Sequence, residues 1–240
     1  MLSAKPWKPD LVLRLLLGMF ASISLGIIIV HGLESDEIGL GGESSKWLTF
    51  IVGTLSFHGM SFVLINIFLR EHEIGWAAAF GFNAPRLGRA LLLAAIVGFA
   101  VLPIAASLNH LSMQVLHWLE IKAELQQAVQ TLQTTVSLSQ KLYFGIVAIC
   151  VAPAVEELLF RGILYPTIKQ RGYKRFALWS TSLFFAAIHA NLMTFVPLTF
   201  LALILTLLYE TTDNILAPVL AHSLFNAANF FWLVSGLPVG

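Results

Sequence analysis

Long apolar runs separated by short polar stretches are the dominant pattern of this 240-residue chain. A helix needs about 20 residues to cross the hydrocarbon core of a bilayer. On that length scale the pattern predicts seven spans, at 11–30, 47–69, 89–108, 142–163, 176–192, 196–209 and 214–234. Helices are expected because lipid offers no hydrogen-bond partner to an open sheet edge. The chain is therefore predicted to be all-α, a polytopic transmembrane helical bundle of about seven spans.

Three parts of this pattern are less regular. The runs at 176–192 and 196–209 are short, and they fit either a tight hairpin turning near Pro197 or a pair in which one member does not cross fully. The polar connection at 109–140 places apolar residues at helical spacing beside several glutamines. It predicts either an amphipathic helix on the outer membrane surface or a solvated loop helix.

Composition supports a membrane protein and excludes several other classes. Apolar residues make up 58% of the chain and charged residues 11%, with a mean hydropathy of +0.82. Soluble domains average about 45–50% apolar and about 25% charged residues. The net charge of +1 gives no basic surface for nucleic acid, and a single cysteine, Cys150, excludes an intramolecular disulfide and a multi-cysteine metal site.

The distribution of cations predicts the orientation of the bundle. With the N-terminus in the cytoplasm, ten of the fourteen lysines and arginines fall on the inner side, three fall on the outer side, and Arg161 lies inside the fourth span. An excess of cations in cytoplasmic loops is the usual arrangement. An N-terminus inside and, with seven spans, a C-terminus outside are therefore expected. In a bacterium the membrane would be the inner membrane.

Charged residues inside the apolar runs are concentrated in the fourth span, which contains Glu156, Glu157 and Arg161. Charges inside a membrane are costly and are by default functional candidates. Glu157 and Arg161 are spaced i,i+4 and can pair on one helix face, so a buried structural ion pair is an equally good interpretation for them. Glu156 points about 100° away. Without that partner, it is the better candidate for a general base.

Two later spans add neutral polar groups. Phe185 and His189 share one face of the fifth run, and His222 and Asn226 share one face of the last, followed by Asn229. A single histidine in an apolar helix is more often a packing residue, and an asparagine stripe can serve as hydrogen-bonding contact between helices. Taken together with Glu156, these residues supply a base, a second titratable group and donors for an oxyanion, which are the parts of a hydrolytic site.

The ordered motifs Glu-Glu-x-x-x-Arg (156–161), Phe-x-x-x-His (185–189) and His-x-x-x-Asn (222–226) resemble the CPBP family of intramembrane proteases. This family includes the CAAX prenyl endopeptidases and bacteriocin-processing or self-immunity proteins. The stretch 212–222 is also similar to the family's lead-in to its last motif, except that Asp213 replaces a residue that is commonly Gly. The resemblance covers residues 141–232.

The resemblance implies a role for each motif residue. Glu156 would activate the water that attacks the scissile carbonyl, and His189 would help to orient or deprotonate that water. His222 and Asn226 would line the oxyanion site. Glu157 and Arg161 would support the arrangement structurally.

The resemblance leaves a metal open, because the family was first described as metalloproteases. If a divalent metal such as zinc is bound, Glu156, His189 and His222 are the candidate ligands. Three ligands from three helices are, however, not a diagnostic spacing. The sequence has no His-Glu-x-x-His, and the nearest string, at 72–76, lacks the second histidine.

The leading hypothesis is an intramembrane endopeptidase with its active site inside the bundle, acting on a membrane-associated peptide or protein without a covalent intermediate. Residues 1–140 would be N-terminal helices with an extramembrane amphipathic segment at 109–140, and residues 141–240 the protease core. The alternative is a non-catalytic membrane scaffold or bacteriocin immunity protein that binds a peptide partner. A proton-coupled transporter fits less well, because the polar residues are not repeated in two halves. The expected partners are lipids and the substrate, with no nucleic acid, and the sequence leaves the oligomeric state open.

Overall fold

The computed structural model describes residues 2–33, 43–82, 87–135 and 137–235, and these ranges contain helices and connecting segments but no strand. An all-α bundle is thereby confirmed. Arg86, which was counted on the inner side of the membrane, lies outside the described residues. The α-helices are α1 Pro9–Leu33, α2 Glu43–Thr54, α3 Met60–Glu71, α4 Trp76–Phe80, α5 Leu87–Trp118, α6 Gln127–Thr134, α7 Leu138–Ile146, α8 Ala152–Glu157, α9 Tyr165–Lys169, α10 Lys174–Ala187, α11 Leu192–Thr212 and α12 Leu216–Val234.

Three π-helical segments join neighbouring helices into longer ones. Leu55–Gly59 connects α2 to α3, Val147–Val151 connects α7 to α8, and Leu158–Leu164 connects α8 to α9. Six helices in the described part of the chain are therefore long and apolar enough to cross a membrane: Pro9–Leu33, Trp47–Glu71, Leu87–Trp118, Leu138–Lys169, Leu192–Thr212 and Leu216–Val234. Each contains most or all of one predicted apolar run.

The remaining predicted run, 176–192, forms the 14-residue helix α10. At 1.5 Å per residue such a helix rises about 21 Å, which is less than a full hydrocarbon core. The helix stops early because Ala190 has a positive φ of 48° and Asn191 caps the next helix by accepting a hydrogen bond from the Thr194 amide. The chain turns at 188–191, before Pro197, which lies inside α11.

The polar segment at 109–140 is not one amphipathic helix. Its first ten residues continue α5 to Trp118, and the rest contains the short helix α6 and the beginning of α7. Apolar spacing at 111–119 therefore reflected the extension of a long span. By packing, the helices form one unit of residues 6–79 and another of residues 1–5 and 80–240. The division at residue 140, which rests on the motifs, stays a prediction.

In the unit of residues 6–79, α1 packs against α2 and α3. A side chain at Gly26 would collide with Ser56, so the absence of one allows the close approach. Ser22 Oγ donates to the Ser56 carbonyl, and Arg14 pairs with Glu71 at 3.0 Å near the other end of α1.

In the unit of residues 1–5 and 80–240, α5 packs along both α11 and α12. The contact surface of α5 carries small residues, and a Cβ on Gly98 would lie 3.1 Å from the Ala221 carbonyl oxygen. Small residues allow transmembrane helices to approach closely. The buried core of this contact consists of Ala90, Ala94, Val101, Ala105, Leu201, Leu205, Leu208, Ala217 and Ala221.

The turn between α11 and α12 is held from two sides. Asp213 ends α11 in the left-handed region, with φ 49°, where glycine is the usual residue. The Asp213 carboxylate accepts from Ser3 Oγ at 3.0 Å and pairs with buried Lys5 at 3.5 Å. On the other side, the amide of Ile215 donates to the Phe80 carbonyl. The N-terminal residues thus belong to the packing of the turn that precedes α12.

Candidate active site

The helix that carries both glutamates, Leu138–Lys169, departs twice from regular α-geometry. One π segment, Val147–Val151, ends just before α8, and the second, Leu158–Leu164, begins directly after Glu157. π-Turns are rare and occur frequently at functional sites. The two glutamates therefore lie on a six-residue α-helical stretch between two wider turns.

Glu157 is the centre of a buried polar cluster. Its side chain is 0% exposed, and a single oxygen, Oε1, accepts from Arg161 Nη1 at 2.8 Å and lies 2.9 Å from His222 Nδ1. Arg161 is also buried, and its Nη2 donates to the Ala202 carbonyl at 3.1 Å. The predicted i,i+4 pair between Glu157 and Arg161 is present in the structure. The contact between Glu157 and His222 connects the first and the last of the three motifs directly.

Glu156 has a different environment from its neighbour. Its side chain is 13% exposed, and its Oε2 lies 3.9 Å from His222 Nε2, which is beyond hydrogen-bonding distance. His222 is itself buried and lies between the two carboxylates, with Nδ1 facing Glu157 and Nε2 facing Glu156. Glu156 is therefore the accessible carboxylate of the pair, and a small molecule such as water is needed to bridge it to the imidazole.

Phe185 joins the second motif to this cluster. The ring is fully buried and lies 4.9 Å from the His189 ring and 5.8 Å from the His222 ring, centroid to centroid. The Arg161 guanidinium lies 4.6 Å from the Phe185 centroid, within the range of a cation–π contact. The aromatic residue is thus the shared wall between the two histidines and the buried cation.

His189 is half-buried at the end of α10, and its ring orientation is fixed by its own helix. The Nδ1 atom donates to the Phe185 carbonyl at 2.7 Å. With that nitrogen protonated, the Nε2 atom of a neutral ring is left as an acceptor. The structure thus brings His189 beside the cluster through Phe185, with no direct contact to a glutamate.

Asn226 and Asn229 differ in where their amides are bonded. Asn226 Nδ2 reaches across to the carbonyl of Ala148, which lies in the first π segment, at 2.8 Å. One hydrogen of that amide group remains for another acceptor. Asn229 is exposed and donates to the Phe225 carbonyl of its own helix. Of these two asparagines, Asn226 is therefore the one that bonds to the helix that carries the glutamates.

The candidate metal ligands do not form a metal-binding group as arranged. Within the described ranges, no three His, Cys, Asp or Glu side chains converge in a way that could hold an ion. His222 Nδ1 is already bonded to Glu157. In the separate string at 72–76, His72 has both ring nitrogens occupied, by the Phe68 carbonyl and the Lys8 amide. As arranged in the described residues, Glu156, His189 and His222 therefore do not fit a bound zinc ion.

The comparison with protein families agrees with this grouping of motifs. Residues 138–228 match the family described as "Type II CAAX prenyl endopeptidase Rce1-like". This segment is similar to that family. The resemblance to the CAAX-protease group is thereby confirmed, and the matched segment contains the six predicted site residues, Glu156, Glu157, Arg161, His189, His222 and Asn226.

One curated relative matches a smaller part of the chain. It is "Uncharacterized protein YpbD" of Bacillus subtilis (strain 168), which is 37% identical over 76 residues. The match covers 30% of this chain and 36% of that protein, so the chain spans only about a third of this relative. No solved structure matches the chain significantly.

Two partners in the site have no signal in the sequence, because they are backbone carbonyls. The Ala202 carbonyl accepts from both Arg161 and Thr206 Oγ1, and the Ala148 carbonyl accepts from Asn226. Any residue type carries a carbonyl. The shared role of Phe185 could have been inferred, since the sequence already placed it one turn before His189.

Proposed function

We propose that this chain is an intramembrane endopeptidase that hydrolyses a peptide bond of a membrane-associated protein or peptide, with its N-terminus in the cytoplasm. The observation that carries the proposal is the unequal environment of the two glutamates. Glu157 is fully buried and occupied by Arg161 and His222, whereas Glu156 is partly accessible and faces His222 across a gap. A general base must be free to reach a water molecule, and Glu156 meets that condition.

The charges of the cluster sum to zero in the protonation state that the proposed mechanism uses. Two carboxylates, Glu156 and Glu157, face one guanidinium, Arg161, and one imidazole, His222. When His222 is doubly protonated the sum is zero, and both ring nitrogens are donors. Glu157 then holds Nδ1, and the Nε2 hydrogen is available on the side of Glu156. In this state His222 supplies a charged donor for an oxyanion.

The reaction follows from these positions. Glu156 takes a proton from a water molecule, and the water oxygen forms a bond to the scissile carbonyl carbon. The resulting oxyanion accepts hydrogen bonds from His222 Nε2 and from the second Nδ2 hydrogen of Asn226. When the carbon–nitrogen bond breaks, the proton held by Glu156 passes to the departing amine. The Nε2 acceptor of His189 helps to orient the water, since its Nδ1 is held by the Phe185 carbonyl.

The deciding experiment compares cells that express the intact protein with cells that express Glu156→Ala. Quantitative proteomics should show precursor proteins accumulating in the variant, while its amount in the membrane and its thermal stability stay near those of the parent protein. Glu124→Ala, which removes an exposed carboxylate outside the cluster, is the matched control and should leave the proteome unchanged. An unchanged proteome in the Glu156→Ala cells would refute the mechanism and favour a non-catalytic membrane scaffold or immunity protein.

A further inference from the structure

A groove lies at the connection between α9 and α10, away from the carboxylate cluster. Its volume is about 420 Å³, which is within the range of small-molecule sites. Its lining is mainly apolar and includes one cation. The lining residues are Thr167, Ile168, Arg171, Tyr173 and Phe176.

The contacts of Glu210 show which cations near the groove have a counter-ion. Glu210 is buried and pairs with Lys169, accepts from Tyr165 Oη, and lies 3.7 Å from Lys174 Nζ. Glu210 therefore offers a single negative charge to two lysines, and the segment keeps a net positive charge. Arg171 is exposed and makes no ion pair within the described part of the chain. The first turn of α10 contains no acidic residue. The groove thus presents one uncompensated positive charge.

The position of the groove relative to the membrane is inferred from the helix that precedes it in the chain. The candidate span Leu138–Lys169 ends two residues before Arg171, so the groove adjoins the end of a helix that is long and apolar enough to cross a membrane. Tyr173 and Phe176 are 63% and 65% exposed. Exposed aromatic residues at this level are typical of the region between lipid tails and water. An occupant would therefore meet a cation and an apolar wall at the membrane surface.

We propose that this groove binds an anionic phospholipid. Its phosphate would lie against Arg171, and the beginning of an acyl chain would lie against Ile168 and Phe176. A zwitterionic lipid has no net charge, so Arg171 would attract it less strongly. A free phosphate has no acyl chain to contact the apolar wall. In the orientation given under the proposed function, on which this step rests, the cations at 169–175 lie on the cytoplasmic side, where anionic lipids attract basic residues.

Native mass spectrometry of the full-length protein tests the proposal without any cleavage assay. The protein is taken from mixed micelles that contain equal amounts of phosphatidylglycerol and phosphatidylcholine, and the bound lipids are counted. The parent protein should retain phosphatidylglycerol in preference. Arg171→Gln should reduce the ratio of the two adducts about fivefold, equivalent to about 1 kcal/mol at 1.4 kcal/mol per tenfold change. Arg171→Lys should keep most of the preference.

Two matched variants separate the groove from a general basic surface. Arg175→Gln removes an exposed cation that does not line the groove and should leave the ratio unchanged. Phe176→Ala should lower retention of both lipids, whereas Trp179→Ala, at another exposed aromatic outside the groove, should not. Equal losses from Arg171→Gln and Arg175→Gln would overturn the proposal. Displacement of the lipid by millimolar inorganic phosphate would also overturn it, because the site would then be a phosphate site.

Discussion

The Nδ1 atom of His222 lies 2.9 Å from Oε1 of Glu157, the same oxygen that accepts from Arg161. A single carboxylate oxygen therefore fixes both the imidazole and the guanidinium. All three side chains are buried, and removal of one partner leaves a charge without compensation. In the proposed mechanism this relationship gives Glu157 the role of a positioning residue, which would act on the chemistry through His222.

Glu157→Gln should destabilise the protein by about 3–5 kcal/mol, because Arg161 keeps a buried charge that has lost its partner. The measurement is SDS-induced unfolding in micelles, followed by circular dichroism. Glu157→Gln combined with Arg161→Met should recover much of this loss, since the unpaired charge is gone. Cleavage should stay absent in the double variant because His222 has lost its anionic acceptor.

The exposed pair of Arg14 and Glu71 gives the control for this prediction. Its atoms are 3.0 Å apart, but the two side chains are 67% and 31% exposed. Arg14→Gln should therefore cost at most about 1 kcal/mol. If Glu157→Gln costs no more than Arg14→Gln, the buried cluster does not have the energetic weight assigned to it.

Phe185→Leu should lower both stability and cleavage. The substitution keeps an apolar side chain but removes the ring face under Arg161, and the loss of a cation–π contact is worth about 0.5–2 kcal/mol. Phe184→Leu, at the exposed neighbouring position on α10, should change stability by less than about 0.5 kcal/mol. Thermal unfolding of both variants checks the difference, and equal effects would contradict the role given to Phe185.

Asn226→Ala should lower kcat about 10²–10³-fold and leave KM nearly unchanged, as expected for a donor that acts on the transition state. Asn229→Ala is the matched control, because that amide donates only within its own helix. The rates can be measured on a precursor identified from the Glu156→Ala cells. A change in KM alone for Asn226→Ala would assign this residue to substrate binding.

Gly98→Ala should destabilise the packing of α5 against α12. The added methyl group would lie 3.1 Å from the Ala221 carbonyl and 3.2 Å from Leu224 Cβ, and overpacking of this kind costs about 1–3 kcal/mol. Gly88→Ala, on the same helix with nothing within 4 Å, should be neutral or stabilise by up to about 1 kcal/mol. Equal unfolding midpoints for the two variants would contradict this account of the contact.

The apolar pattern predicted the spans well where one long run formed one helix, and less well where the chain turns inside a run. The end of α10 illustrates the limit. Residues 176–192 are continuously apolar enough to suggest a span, yet the helix ends at Ala187 because Ala190 adopts a positive φ and Asn191 caps α11. These are local backbone events that hydropathy does not detect. Similarly, apolar spacing cannot distinguish an extended span from a surface helix, as 109–118 shows.

Within the candidate site, the i,i+4 spacing correctly predicted the pair of Glu157 and Arg161, because both members lie on one helix. The bond from His222 to Glu157 joins residues 65 positions apart, and no local spacing contains that information. The sequence treated His222 and Asn226 as equivalent members of one face. The structure separates them, since His222 is bonded to a carboxylate and Asn226 to a backbone carbonyl.

The contact of Ser3 and Lys5 with Asp213 has a practical consequence for protein production. An affinity tag or leader that replaces residues 2–5 would remove both partners of the Asp213 side chain. Asp213, nine residues before His222, would then keep its left-handed conformation with the backbone bond to Tyr209 but without these side-chain contacts. Kinetic comparisons between laboratories therefore require preparations that keep residues 2–5.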